Sequence, residues 1–291
     1  MIFASTGGAT TRSAAHTAAE FLRHGIREVE LSGGAPSATL ERDLRTLRGD
    51  VTFQLHNYFP PPADPFVFNL ASDDATVRAR SVSHVRTAMR WAVALGLPRY
   101  SFHAGFRINP AVAELGRPIG KQALRDRPGA LQEFGEQILR LAAEARQEGV
   151  TLLIENNVVS ASNLATFGED PLLLAHPEEM AGFMAAMPSE VGLLLDVAHL
   201  KVSGRSLGFD PVAAHALVRP WIRGYHLSDN DGLTDSNDPV TDRSWFWDVI
   251  NPDLDYYSLE VYRLSAADMA RHQARVATRL ADVSASQRIS K

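Results

Sequence analysis

The segment Val191-Gly-Leu-Leu-Leu-Asp196, followed by Val-Ala-His199, is a short apolar run that ends in a carboxylate. An apolar run of this length, bounded by turn signals, is typical of a buried strand in a parallel sheet. The same design recurs along the chain. It predicts eight strands: Ile2–Ala4, Glu28–Leu31, Val51–Leu55, Tyr100–Phe102, Thr151–Ile154, Val191–Leu195, Ile222–His226 and Tyr257–Glu260.

The segments between these strands carry helix signals. Three predicted helices are each followed by glycine, which supplies the left-handed residue that ends a helix: Arg12–His24, Asp73–Leu95 and Gly129–Glu148. Pro177 with two glutamates after it opens another helix. Alternating strands and helices predict an α/β fold, and eight units predict a single (β/α)₈ barrel, or TIM barrel. We expect one domain over residues 1–291, with residues 281–291 as a frayed tail.

Two long loops are predicted, one after the third strand and one after the fourth. The first covers Tyr58 to Asn69 and contains three consecutive prolines, and the second runs from Gly105 to Pro128. Long ordered loops are commonly functional, and barrels of this type keep their active sites on the side where loops follow strands. The sequence therefore favours a site at the carboxyl ends of the strands.

Composition limits the classes of function. The chain has 291 residues, 45% of them hydrophobic, and a formal net charge of −5, which provides no long-range attraction for nucleic acid. It has no cysteine, so disulfides and thiolate metal sites are excluded. The first residues lack a basic segment followed by an apolar core, and no apolar run approaches about 18 residues. We expect a soluble cytoplasmic protein without a membrane partner; a homo-oligomer remains open.

Six consecutive predicted strands end in a residue that can bind a metal: His56, His103, Glu155, Asp196, His226 and Glu260. A carboxylate buried directly after apolar strand residues is costly unless it is paired. The ends of parallel barrel strands converge on one cavity, where a dication would offset that cost. The pattern therefore predicts a divalent metal site, and ligands of this type suit Mn, Mg, Co or Zn.

Two motifs resemble the xylose-isomerase-like superfamily. Asp196-Val-Ala-His199 resembles its Asp-x-x-His motif, and His226-Leu-Ser-Asp-Asn-Asp-Gly232 resembles a stretch of its sugar-isomerase-like branch. Together with Glu155 and Glu260 they occur on successive strands in the order of the family, and the resemblance covers about residues 1 to 275. Members include isomerases and epimerases of sugars and sugar phosphates, some dehydratases, and endonuclease IV.

The resemblance implies a metal-dependent isomerase or epimerase that acts on a sugar or sugar phosphate through an enediolate. Glu155, Asp196, His226 and Glu260 would bind the metal. Glu155 and Glu260 would also transfer protons, while His56, His103 and His199 would form a second metal position or bind substrate oxygens. An alternative stays open, in which both glutamates are only ligands and another residue is the base.

The endonuclease IV branch is a second possibility. Phe102-His103-Ala-Gly105 resembles its strand-four motif, and His56 with the later Asn69-Leu-Ala-Ser72 resembles its strand-three region. That enzyme also uses a histidine of an Asp-Arg-His motif after strand seven. The possible counterparts here read Asp235-Ser-Asn237 and Asp242-Arg-Ser244, so this ligand is absent. A phosphodiesterase acting on abasic DNA is therefore an alternative, as is a dehydratase or a non-catalytic polyol binder.

Two further groups are candidates for substrate binding. Arg107 in the strand-four loop either grips a phosphate or carboxylate or belongs to a solvated loop. Trp245 and Trp247 either form an apolar wall over the substrate or lie in a short helix that packs on the barrel.

Overall fold

The computed structural model describes residues 1–114 and 117–289. Eight parallel strands form a closed barrel in which each strand pairs with the next and the last pairs with the first. The strands are β1 (Ile2–Ser5), β2 (Glu28–Leu31), β3 (Thr52–His56), β4 (Arg99–His103), β5 (Thr151–Glu155), β6 (Val191–Asp196), β7 (Ile222–Leu227) and β8 (Tyr257–Leu259). The predicted (β/α)₈ barrel is confirmed.

Helices surround the barrel, and side-chain caps fix where several of them begin. They are α1 (Ala14–Arg23), α2 (Leu40–Leu47), α3 (Ala75–Leu95), α4 (Arg127–Gln147), α5 (Ala161–Phe167), α6 (Pro177–Ala185), α7 (Val197–Leu207), α8 (Pro211–Val218) and α9 (Ala266–Ile289). Asp74 caps α3, and the helix ends at Gly96, whose φ of 68° is left-handed. The helix α4 begins two residues earlier than predicted because Asp126 caps it and Pro128 occupies its first turn.

The barrel interior is apolar below and polar above. Phe3, Leu153, Leu194 and Tyr256 form a buried cluster that is separate from the larger core between strands and helices. Side chains two residues apart on a strand share a face, so Leu153 lies below Glu155 and Leu194 lies below Asp196. This apolar plug closes the lower barrel and leaves the polar side chains at the upper end.

The two long loops after β3 and β4 are bound to each other. They cover residues 57–74 and 104–126, apart from 115 and 116, which lie outside the described residues. The Asn69 side-chain amide donates to the carbonyl oxygens of Phe106 and Ile108, each at 3.1 Å. These bonds hold the loops over the carboxyl ends of the strands.

The carboxyl-terminal segment is helical up to Ile289. The helix α9 continues to Ile289, with Val283 buried, and the Gln287 side chain donates to the Ile250 carbonyl at 3.2 Å. These contacts connect residues 281–289, which belong to the predicted tail, to the rest of the barrel. Residues 290 and 291 lie outside the described residues. Within the described chain, no helix combines the length and the apolar character that a membrane span requires.

Gly224 on β7 tests the packing of the barrel interior. A Cβ at this position would lie 2.4 Å from Cδ1 of Tyr256 and 3.2 Å from Cδ1 of Leu194, and both side chains are fully buried. We expect Gly224→Ala to lower the free energy of unfolding by about 1–3 kcal/mol through overpacking, measured by denaturant unfolding.

Gly182, exposed in the middle of α6, provides the control for this substitution. Apart from its chain neighbours and the nearby backbone of α6, nothing in the described chain lies within 4 Å of a Cβ built there. Gly182→Ala should leave the stability unchanged or raise it by up to about 1 kcal/mol, because alanine favours a helix. Equal stabilities of Gly224→Ala and the parent protein would contradict close packing of the barrel interior around Tyr256 and Leu194.

Candidate functional site

A cavity of about 570 Å³ opens at the carboxyl ends of the strands. Four residues that the sequence singled out line it: His56, His103, His199 and Glu260. Glu155, Asp196 and His226 are fully buried and lie beneath, in contact with the lining residues. The structure therefore brings all seven predicted side chains together.

The four predicted metal ligands form one compact group. Glu155, Asp196, His226 and Glu260 each offer one ligand atom, and these atoms lie within 4.8 Å of one another. They lie at the ends of β5 and β6, near the end of β7 and directly after β8. Such a spacing of nitrogen and oxygen atoms allows one cation to contact all four side chains.

Glu155 joins this group to a second one. Its Oε1 lies 3.1 Å from Nδ1 of His226, and its Oε2 lies 3.2 Å from Nε2 of His56 and 3.3 Å from Nδ1 of His103. Ligand atoms of His56, His103 and Glu155 also lie within 4.8 Å of one another. The carboxylate of Glu155 is thus shared between two possible cation positions.

Glu30, on β2, is a site residue that the sequence analysis missed. It is fully buried, its Oε2 lies 3.0 Å from Nε2 of His226, and it accepts a hydrogen bond from the Tyr256 hydroxyl. Glu30 lies inside a predicted strand, whereas the sequence analysis selected only metal-binding residue types at the carboxyl ends of the strands. The available signal was the Glu28-Val-Glu30 alternation, which places Glu30 on an inward face.

The surroundings divide the carboxylates into two kinds. Burial alone would raise the pKa of Glu155, but the electrostatic interactions with His103, His226 and His56 hold this pKa well below its usual value. Burial raises the pKa of Asp196 to about 6 and that of Glu260 to about 8. The effect of desolvation is therefore outweighed by the histidines at Glu155 and only partly offset by them at Asp196 and Glu260.

The pKa values of His56 and His226 are also shifted in opposite directions. Burial lowers the pKa of His56 to about 3. Burial would also lower the pKa of His226, but the charges of Glu30, Glu155 and Glu260 raise it well above its usual value. His226, which lies between these carboxylates, is therefore the cationic centre of the group.

Two buried carboxylate oxygens of this group lack a hydrogen-bond donor among the described residues. Within the described chain, Oδ2 of Asp196 and Oε2 of Glu155 accept no hydrogen bond. The other oxygen of Asp196 accepts from the backbone N–H of His199 at 2.7 Å and caps α7. A buried acceptor without a partner is costly, and a metal ion would satisfy both oxygens. The mixed nitrogen and oxygen donor set suits a first-row divalent ion or magnesium.

His199 is held in a fixed orientation beside this group. Its Nδ1 donates to the Asn156 carbonyl at 2.8 Å, its Nε2 lies 3.3 Å from Oδ2 of Asp235, and its ring stacks on His103. Asp235 comes from the long loop after β7, where its orientation was not predictable from strand periodicity. The pair extends the polar surface of the cavity away from the four-residue group.

Three candidates for substrate binding lie elsewhere. Arg107 is buried, and its guanidinium donates to Glu169 at 2.7 Å and to the Asp170 carbonyl at 2.8 Å, so its charge braces the loop. Trp245 and Trp247 lie in a short 3₁₀ helix and donate to backbone carbonyls at 3.1 and 2.7 Å. None of the three is among the described residues that line the cavity. Their role in substrate binding stays a prediction.

Other aromatic residues form the apolar wall of the cavity. They are Tyr58, Phe68, Phe106 and Tyr262. Tyr262 packs against the turn after β1, where a Cβ on Gly8 would lie 2.8 Å from the Cβ of Tyr262. Glycine is thus required for the close approach of Tyr262 to this turn.

Known proteins share this architecture. A D-tagatose 3-epimerase-like protein is 17% identical and has a TM-score of 0.73, with 98% of each chain covered. A xylose isomerase-like TIM barrel protein from Mycobacterium smegmatis, solved in complex with magnesium, is 15% identical and has a TM-score of 0.68, with 97% of each chain covered. At these identities the likeness concerns the fold.

A relative found by sequence carries the name of an endonuclease and not of an epimerase. It is a probable endonuclease 4 from Chlorobium phaeobacteroides (strain BS1), 27% identical over 183 residues, which are 60% of this chain. The matched region spans 56% of the length of that protein.

The family assignment rests on a longer match. The xylose isomerase-like TIM barrel family matches residues 23–252, which is well over half of the chain. The match runs from the end of α1 to beyond β7 and includes all of the described residues that line the cavity except Glu260 and Tyr262. The resemblance seen in the motifs is confirmed, and the chain belongs to the xylose isomerase-like TIM barrel family.

Proposed function

We propose that this protein is a metal-dependent isomerase or epimerase that acts on a sugar or sugar phosphate by proton transfer. The proposal is carried by the arrangement of Glu155 and Glu260, two buried carboxylates grouped with Asp196 and His226 within 4.8 Å at the cavity. The similarity in fold to a D-tagatose 3-epimerase-like protein supports it.

The metal would be held by Glu155, Asp196, His226 and Glu260, and Mn, Mg, Co or Zn fits these donors. A dication bound there supplies the positive charge that stabilises negative charge developing on substrate oxygens. The unpartnered Oδ2 of Asp196 supports its role as a ligand, because this oxygen is buried and available.

The side chains of this protein would position the substrate and move the proton. Glu155 accepts the proton from the carbon next to the carbonyl, and Glu260 returns a proton from the other side. His199 would bind a substrate oxygen through Nε2, because its Nδ1 is committed to the Asn156 carbonyl, and Nε2 lies 3.3 Å from Oδ2 of Asp235, another residue that lines the cavity. The aromatic wall would provide an apolar surface beside the bound substrate.

Metal binding can be tested by titrating EDTA-treated protein with Mn²⁺ in a calorimeter. We expect Asp196→Asn to weaken binding at least about tenfold, because an amide replaces the free carboxylate oxygen while the helix cap can persist. Asp210→Asn is the matched control: Asp210 caps α8 in the same way, accepting from Ala213 N at 3.0 Å, and is exposed. Equal affinities of Asp196→Asn and the parent protein would rule out Asp196 as a ligand.

Proton transfer can be tested by following deuterium incorporation from D₂O into ketoses and ketose phosphates by NMR. Glu155→Gln and Glu260→Gln should each reduce the exchange rate at least about a hundredfold, the scale of a general acid or base. The two are compared separately because Glu260 lines the cavity and Glu155 lies beneath it. Metal content is measured for each variant. Near-normal exchange by a metal-loaded variant would show that its glutamate transfers no proton.

A phosphodiesterase is the second candidate, favoured by the group of His56, His103 and Glu155 and by the relative named as a probable endonuclease 4. One observation speaks against a phosphodiesterase. The loop after β7 places Asp235 and Asn237 at the cavity, and this Asp235-Ser-Asn237 segment lacks the histidine of the Asp-Arg-His motif of endonuclease IV. Metal-dependent cleavage of abasic DNA without exchange on any sugar would favour this reading. Loss of water from the substrate, seen in product analysis, would favour a dehydratase.

A further inference from the structure

Beneath the cavity, His226 is held between carboxylates on both sides of its ring. Its Nδ1 faces the candidate metal ligands, at 3.1 Å from Oε1 of Glu155 and 3.7 Å from Oε2 of Glu260. Its Nε2 faces away from them, at 3.0 Å from Oε2 of Glu30. The two nitrogens therefore have different partners and can serve different purposes.

Glu30 is itself held in place by Tyr256. The Tyr256 hydroxyl donates to the same Oε2 that contacts His226, and its oxygen lies 3.3 Å from Oγ of Ser101 on β4. All of these side chains are buried. Glu30 thus belongs to a fixed hydrogen-bonded chain that crosses the barrel between β2 and β4.

The chemistry of these groups fixes the position of one proton. An ionised carboxylate has acceptors only, so both groups that contact Oε2 of Glu30 must donate to it. One donor is the hydroxyl of Tyr256, and the other is therefore the Nε2–H of His226. If a divalent cation takes the place of the Nδ1 proton of the cationic ring, the remaining ring proton is the one on Nε2, and the lone pair on Nδ1 points toward Glu155 and Glu260.

We propose that Glu30 is a positioning residue that holds His226 in the tautomer protonated on Nε2, so that Nδ1 is available to a divalent cation. A histidine ligand commonly donates its second N–H to a carboxylate, which fixes the tautomer and the ring orientation and strengthens the ligand. The inference rests on the proposed role of His226 as a metal ligand. It adds Glu30 and, through it, Tyr256 to the residues on which metal affinity depends.

The direct test is the affinity of EDTA-treated protein for Mn²⁺, measured by calorimetry. Glu30→Gln keeps the size of the side chain and removes its charge, and should raise the Kd by about 10- to 100-fold. Glu28→Gln is the matched control, because Glu28 lies two residues earlier on the same strand and face and is only partly buried. It should leave the Kd unchanged.

A second variant keeps the test independent of how well Glu30→Gln folds. Tyr256→Phe removes only the hydroxyl that orients Glu30, and should raise the Kd by less than Glu30→Gln does. If the two residues act through the same contact, the double variant binds no more weakly than Glu30→Gln alone. Additive losses would show that Tyr256 acts separately from Glu30 and would overturn this part of the inference.

A spectroscopic signature separates positioning from general support of the fold. In zinc-loaded protein, long-range ¹H–¹⁵N spectra should show His226 protonated on Nε2. A proton on Nδ1 would overturn the inference, as would equal Mn²⁺ affinities of Glu30→Gln and the parent protein. Either result leaves the proposed function intact if the parent protein binds Mn²⁺. Absence of binding by the parent protein would overturn both.

Discussion

The structure depends on the burial of four carboxylates at one end of the barrel. Glu30, Glu155, Asp196 and Glu260 are at most 5% exposed. Removing this much charge from water is costly, and the neighbouring histidines compensate only part of it. His226 pairs with three of the four, while one oxygen of Asp196 accepts no hydrogen bond within the described chain. A dication among them is the simplest physical reason for the arrangement.

The fold makes this concentration of charge possible. Parallel strands end on the same side of the barrel, so the inward side chains at their carboxyl ends converge there. Leu153 and Leu194 lie directly below Glu155 and Asp196 and exclude water from beneath. Asp196 also caps α7, which links the position of its carboxylate to the helix that carries His199. The site is therefore built on rigid elements, with loops closing it from above.

The sequence predicted those parts of the site that strand periodicity controls. His56, His103, Glu155 and Asp196 end their strands, and parallel pairing alone brings such ends together. Glu30 was not predicted because it lies one residue before the end of β2. In the sequence Glu28-Val-Glu30-Leu31 it is part of an alternation of charged and apolar residues, which is also typical of a strand with one face in solvent.

Loop residues were not predictable in this way, because no periodicity fixes the direction of a loop side chain. Arg107 and the two tryptophans point into the protein, whereas Asp235 and Tyr262 reach the cavity.

The most direct test of the proposed metal site is anomalous diffraction at the manganese edge, from crystals grown with Mn²⁺. The account predicts one strong peak coordinated by Glu155, Asp196, His226 and Glu260 at roughly 2.0–2.3 Å. A cavity without a peak, or a peak bound by other residues, would contradict it.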